Sequence, residues 1–167
     1  MLMIGAGLIA LCIMLFLLMG GFPPLPAQDE FSTLPVEVDF AAPELILEDL
    51  AGNSVSLRDY MGDVVLVNLW ATWCPPCMEE MPILQSFYER HHAEGFVLVG
   101  INQEEAAEVV KPFVADYGLT FPIWLDEDYL AQREFKTSNL PSSYLIDRDG
   151  RVRLMWVGRV SEKFLEK

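Results

Sequence analysis

A near-continuous apolar run, Val64–Trp70, is followed almost at once by the sequence Cys74-Pro75-Pro76-Cys77. An apolar run without alternation is typical of a strand that is buried on both faces. Residues three apart share one face of a helix, so the two cysteines can close a short disulfide there. The two prolines suit a first helical turn, where backbone N–H groups lack intrahelical acceptors. The sequence therefore predicts two thiols at a strand-to-helix junction.

The predicted place of Cys74 at a helix N-terminus favours its thiolate, because unpaired N–H groups and the helix dipole both stabilise an anion. The thiolate is the nucleophilic form, so we expect Cys74 to be the exposed, low-pKa thiol and Cys77 the buried one. Half of a zinc site and an inert structural disulfide are the alternatives. The other candidate ligands are Cys12, in an apolar run, and the adjacent His91-His92. Redox exchange is therefore favoured, and no metal site is predicted.

Residues 1–22 are almost wholly apolar and uncharged, and the segment is long enough to cross a bilayer as a helix. Such a segment is a membrane anchor or a signal peptide. We favour an uncleaved anchor, since no Lys or Arg precedes Arg58 and Leu25-Pro26-Ala27 is a poor cleavage site. The predicted organisation is an anchor or signal sequence over 1–22, a linker over 23–36 and one domain over 37–167.

The net charge of −14 in 167 residues bears on the partners of this chain. It argues against nucleic acid, because nucleic-acid-binding proteins carry a basic surface. It also argues against adsorption to anionic lipid headgroups, so the N-terminal helix itself is the expected membrane link. Asp29 and Glu30, just beyond the apolar segment, are weak indicators of an extracytoplasmic domain.

The rest of the chain alternates between strand and helix patterns around the cysteine motif. A helix after Cys74, ended by Gly95, lies between two apolar strands, which predicts a right-handed βαβ unit with parallel strands. A Gly52-Asn53 turn predicts an earlier hairpin, with a short helix at 58–63. The later predicted elements are a strand at 96–102, a helix at 104–116, a strand at 121–125, a helix at 129–135, a hairpin of 143–147 with 151–157, and the start of a helix at 161–167.

An ordered set of motifs resembles the thioredoxin-like TlpA/ResA/CcmG family of membrane-anchored thiol-disulfide oxidoreductases, whose domain is of the redoxin or AhpC/TSA type. The motifs span about residues 40–158 and comprise Ala42-Pro43, Leu50-Ala51-Gly52, Val67–Cys77, Glu80-Met81-Pro82, Tyr117–Pro122 and Leu140–Asp147. The resemblance implies an α/β, thioredoxin-like fold with a mixed central sheet flanked by helices. It also implies an N-terminal hairpin and an inserted strand-helix unit.

The resemblance assigns further residues to the site. Pro141 matches the family's cis-proline beside the disulfide, and Glu80 matches an active-site acid. Glu80 also lies one helical turn beyond Cys77, where a carboxyl group can pass protons to and from the thiols. Glu105 matches a second cavity acid less securely, with a first-turn helix carboxylate as the alternative. The expected substrate contacts are Trp73, whose alternative is packing, Pro75, Pro76 and Leu140.

The resemblance implies an extracytoplasmic enzyme that needs no cofactor beyond the Cys74–Cys77 disulfide. Cys74 would attack a substrate disulfide and Cys77 would resolve the mixed disulfide. The implied substrate is oxidised apocytochrome c at Cys-x-x-Cys-His, and the implied electron donor is a membrane thiol-transfer protein; we expect a monomer. The alternatives are a peroxiredoxin-like peroxidase, although no Pro lies in 68–73 before Cys74, and a non-enzymatic module that binds a client or copper.

Overall fold

The computed structural model describes residues 34–166, so the predicted anchor and most of the predicted linker lie outside the described residues. The described strands are β1 Val36–Ala41, β2 Ile46–Asp49, β3 Ser54–Ser56, β4 Val64–Trp70, β5 Phe96–Gln103, β6 Ile123–Asp126, β7 Ser142–Ile146 and β8 Arg151–Val157. The helices are α1 Pro75–His91, α2 Ala107–Asp116, α3 Leu130–Phe135 and α4 Glu162–Leu165, with 3-10 turns at Leu57–Tyr60 and His92–Glu94. Between residues 34 and 166, no helix is long and apolar enough to cross a membrane.

The eight strands described within residues 34–166 form one mixed sheet in the order β1-β8-β7-β4-β5-β6-β2-β3. Strands β4, β5 and β6 are parallel to one another, whereas every other neighbouring pair is antiparallel. The predicted βαβ unit of β4, α1 and β5 is therefore confirmed. The hairpin of β2 and β3 is confirmed as well, and it extends the sheet beyond β6.

Strand β4 lies in the middle of the sheet and is buried on both faces, as its apolar run predicts. Leu66 and Trp70 pack into the cluster that includes buried residues of α1 and α2. Val65, Val67 and Leu69 pack into the cluster on the other face, which includes residues of α3. The strand is held between parallel β5 and antiparallel β7, so its end is a fixed point from which the cysteine motif starts.

Strand β1 is the main element that the sequence analysis does not assign. It begins at Val36, the last residue of the predicted linker, and pairs antiparallel with β8 at the edge of the sheet. Apolar and acidic residues alternate over Val36–Asp39, which is a strand pattern. Most of its side chains are exposed at this edge of the sheet, and Val38 packs against the apolar cluster that contains Val65, Val67 and Leu69.

The segment between β5 and α2 also differs from the prediction, which begins the helix at Glu104. The structure begins α2 at Ala107, with Ala106 as its N-cap. Glu104 has a φ of 65°, in the left-handed region, so this residue cannot itself be part of a right-handed helix. The predicted first-turn position of Glu105 is therefore wrong, and this residue belongs to a loop.

Candidate active site

The two cysteines lie at the strand-to-helix junction that the sequence predicts. Cys74 is the N-cap of α1, and Pro75 and Pro76 are its first two residues. A disulfide joins Cys74 to Cys77, with their Cα atoms 5.2 Å apart. The backbone N–H of Cys77 donates to the Cys74 sulfur over 3.3 Å, so a helix-terminal donor faces this sulfur. That arrangement stabilises negative charge on Cys74 when the disulfide is opened.

The two sulfurs differ in access, though less than the sequence predicts. Cys77 is fully buried, and Cys74 is only 4% exposed. The expectation of an exposed Cys74 is therefore wrong for the disulfide form, because both cysteines pack into the apolar cluster beneath α1. Cys74 nevertheless lines a surface groove and Cys77 does not. Cys74 is thus the sulfur that a partner can approach.

The groove beside Cys74 has a volume of about 450 Å³. It is lined by all four predicted substrate contacts, Trp73, Pro75, Pro76 and Leu140. Trp73 is 60% exposed, so the groove and not the core explains this side chain. Other lining residues include Glu104, Tyr129 and Gln132. The peptide bond between Leu140 and Pro141 is cis, which is the geometry that the resemblance implies for Pro141.

Glu80 is fully buried on α1, one turn beyond Cys77. Its Oε1 accepts a hydrogen bond from Asn68 Nδ2 at 2.7 Å, and its Oε2 accepts one from the backbone N–H of Val160 at 2.7 Å. Burial raises the pKa of the Glu80 carboxyl from 4.5 to about 8, although these two bonds and the charge of Arg159 oppose the rise. The carboxyl can therefore gain or lose a proton near neutral pH, as the predicted proton carrier requires.

Glu105 forms hydrogen bonds to the loop before Cys74, unlike Glu80. Its Oε2 accepts hydrogen bonds from the backbone N–H of Thr72 at 2.7 Å and from Asn102 Nδ2 at 2.8 Å. Its Oε1 accepts a third bond from the Thr72 hydroxyl. Thr72 lies two residues before Cys74, so Glu105 holds the loop that carries the motif. The structure thus shows Glu105 bonded to that loop.

Sequence reasoning missed the polar partners of Glu80. Asn68 and Ser143 lie on neighbouring strands, both fully buried, and Asn68 Nδ2 also donates to Ser143 Oγ at 3.0 Å. The one available indication was Asn68 itself, since an amide within an apolar strand buried on both faces needs a hydrogen-bonding partner. Nothing local in the sequence indicates the backbone N–H of Val160, 80 residues beyond Glu80.

Comparison of the sequence with known proteins identifies the family of this chain. Residues 38–155 match the AhpC/TSA family. The thiol-disulfide oxidoreductase ResA of Bacillus thuringiensis (strain Al Hakam) is 34% identical over 131 residues, which cover 78% of this chain and 76% of the relative. ResA of Bacillus subtilis (strain 168) is 34% identical over 124 residues, covering 74% and 69%.

Solved structures agree with these relatives. A thiol:disulfide interchange protein of the thioredoxin family from Chlorobium tepidum TLS has a TM-score of 0.69 and 27% identity, over 78% of this chain and 97% of that one. The predicted thioredoxin-like fold is therefore confirmed. The chain belongs to the AhpC/TSA family, in its ResA-like group of thiol-disulfide oxidoreductases.

Proposed function

We propose that this oxidoreductase reduces protein disulfides on the outer face of a cell membrane, and that oxidised Cys-x-x-Cys-His sites of apocytochrome c are its clients. One observation carries the proposal: a Cys74–Cys77 disulfide whose first sulfur lines a groove, while a carboxyl that titrates near neutral pH lies one turn behind the second. The two cysteines can exchange a disulfide with a client, the groove gives that client access to Cys74, and the carboxyl can accept the Cys77 proton.

The reaction begins with the reduced enzyme. The Cys74 thiolate attacks one sulfur of the client disulfide, forms a mixed disulfide and expels the first client thiolate, which takes up a proton. Cys77 then loses its proton to the Glu80 carboxylate and attacks the Cys74 sulfur. The second client thiolate leaves and takes up the proton that Glu80 received, which restores the Glu80 carboxylate. The client has then gained two electrons and two protons, and the enzyme holds the Cys74–Cys77 disulfide.

The proposed site of action has support from the sequence. The uncharged apolar segment over 1–22 is long enough to anchor the chain, and an acidic linker precedes the domain. Outside the cytoplasm there is no bulk thiol reductant, so a membrane thiol-transfer protein is the proposed electron donor. We propose that the enzyme works as a monomer.

The groove chemistry supports clients with basic side chains near their cysteines. Glu104 is exposed along the groove, and none of the described residues that line it carries positive charge. The remaining polar groups there are neutral amides and hydroxyls. Opposite charge across a contact speeds encounter and selects partners, so basic residues beside a client disulfide suit this surface.

The test is reduction of an oxidised Cys-x-x-Cys-His peptide by the pre-reduced full chain in detergent. We expect one peptide disulfide to be reduced per chain, and no reduction by the Cys74→Ser variant. The enzyme's own reduction potential gives the direction: about −270 mV is typical of a reductase, and about −120 mV of an oxidant. Peroxide consumption without peptide reduction would instead support the peroxidase, and tight Cu(I) binding in equilibrium dialysis without reduction would support the binding module.

The first cysteine should also be the first to react. When the reduced protein is treated with iodoacetamide at mildly acidic pH, we expect Cys74 to be alkylated well before Cys77, because its sulfur has the helix-terminal donor and lines the groove. Peptide mass spectrometry after short exposure measures the two fractions. Earlier labelling of Cys77 would reverse the assigned roles.

A further inference from the structure

The side-chain amide of Asn68 is a polar group buried beside Glu80, and only one of its two ends is hydrogen-bonded. Its side chain is fully buried on β4, and Nδ2 uses both of its hydrogens, on Glu80 Oε1 at 2.7 Å and on Ser143 Oγ at 3.0 Å. Its Oδ1 is buried and has no hydrogen-bond partner among residues 34–166. A buried carbonyl oxygen without a donor costs free energy, so its presence calls for a function.

The bonds around Glu80 fit its ionised form. Both carboxylate oxygens accept hydrogen bonds, from Asn68 Nδ2 and from the N–H of Val160. The protonated form needs an acceptor for its O–H. A backbone N–H can only donate, so Val160 offers none to Oε2. The proton must therefore reside on Oε1, the oxygen that faces Asn68.

An amide can serve both forms because its two ends have opposite polarity. If the Asn68 amide turns by half a rotation, Oδ1 replaces Nδ2 beside Glu80 and accepts the new O–H. Ser143 can follow, since its hydroxyl accepts from Nδ2 in one orientation and donates to Oδ1 in the other. Each orientation leaves one end of the amide without a partner, so neither form of Glu80 is favoured on that account.

We propose that Asn68, supported by Ser143, is a positioning residue that turns its side-chain amide with the proton on Glu80. The carboxyl then keeps one location as acid and as base. The consequence for catalysis rests on the proposed function, in which Glu80 takes the Cys77 proton. The rotation of the amide does not depend on the proposed function.

The other groups that act on Glu80 are few. Asn68 bonds to it from β4 and is itself bonded to Ser143 on β7, and the backbone N–H of Val160 bonds to it from the segment before α4. Arg159 acts through its charge and also pairs with Glu79 at 3.2 Å. On α1 itself, Cys77 lies one turn away, and in the disulfide form this sulfur does not titrate. A measurement on oxidised protein therefore isolates Glu80.

The test is nuclear magnetic resonance of the oxidised full chain in detergent, with labelled Asn side-chain amides and Glu carboxyl carbons, over a titration centred near pH 8. We expect the Asn68 amide signals to shift with the same midpoint as the Glu80 carboxyl. The Asn68 N–H that donates to the Glu80 carboxylate at high pH loses this acceptor when Glu80 is protonated at low pH. In Glu80→Gln the Asn68 signals should not change over this range. Asn102, bonded to Glu105 and not to Glu80, is the control amide within the same spectrum.

A variant gives a second, independent answer. The bond from Asn68 Nδ2, which lowers the pKa of Glu80, serves the ionised form alone. A turning amide also serves the protonated form, so in Asn68→Val both forms lose a partner and the pKa of Glu80 should remain close to its wild-type value. A fixed donor serves only the ionised form, and its loss would raise the pKa further. Constant Asn68 signals while Glu80 titrates, or a clear rise in Asn68→Val, would overturn the proposal. Peptide reduction decides the proposed function separately: its failure alongside a turning amide would remove the catalytic role and leave the rotation.

Discussion

Replacement of Cys77 by alanine is expected to turn the enzyme into a trap for its clients. Cys74 keeps its place at the N-terminus of α1 and can still attack, but the mixed disulfide then lacks its resolving thiol. A thiol held three residues away reacts with an effective concentration far above that of free thiols in solution. The mixed disulfide should therefore live longer by roughly three orders of magnitude or more.

The trapped species can be measured directly. Non-reducing electrophoresis of membranes should show adducts of the Cys77→Ala chain that are cleaved on addition of reductant. Mass spectrometry should place the disulfide link at Cys74. The matched control is Cys77→Ala combined with Cys74→Ala, which should give none. Partners with a Cys-x-x-Cys-His site, or a membrane thiol-transfer protein, would support the proposed function. Absence of adducts, together with peroxide reduction by Cys74, would support the peroxidase.

Glu80→Gln is expected to change how stability depends on pH. The folded-state pKa is raised from 4.5 to about 8, so between these values the native state holds a proton that the unfolded chain releases. The contribution of Glu80 to stability is therefore complete below about pH 4.5 and is lost as pH rises through about 8. A rise in pKa from 4.5 to about 8 corresponds to about 5 kcal/mol between the two ends of the range.

Urea denaturation at several pH values measures this effect. We expect the wild-type free energy of unfolding to fall between pH 5 and pH 9, and the fall to be much smaller in Glu80→Gln. Glu108→Gln is the matched control, since its carboxylate is exposed and lies on α2 and not on the helix of Glu80. The same Glu80 variant should lose an inflection near pH 8 in the rate of peptide reduction. Parallel stability curves for Glu80→Gln and wild type would show that the buried Glu80 carboxyl does not titrate with a raised pKa in the folded protein.

The sequence was most informative where neighbours in the chain are also neighbours in the fold. Cys74, Cys77 and Glu80 follow one another on a single helix, so helical spacing alone groups them. The cis bond before Pro141 was predictable only through the family resemblance, because few X–Pro bonds are cis. The parallel pairing of β4 and β5 follows from the βαβ pattern.

The parts that the sequence did not predict depend on contacts between distant segments. Glu80 meets Asn68 on β4 and Val160 beyond β8, and Asn68 meets Ser143 on β7, 75 residues away. The contact between Asn68 and Ser143 exists because the sheet pairs β7 with β4. The start of α2 was missed for a local reason. Glu104 has a left-handed conformation, and no glycine or proline beside it in the sequence indicates that conformation.

The bond from Val160 to Glu80 has an evolutionary consequence. The donor is a backbone N–H, and every residue except proline supplies one. The side chain at this position can therefore vary without loss of the bond to the acid, and a comparison of side chains among relatives would overlook it. A deletion or insertion between Gly158 and Ser161 would break this bond, because it would move the donor along the chain. This short connection should accordingly keep its length even where its residue types drift.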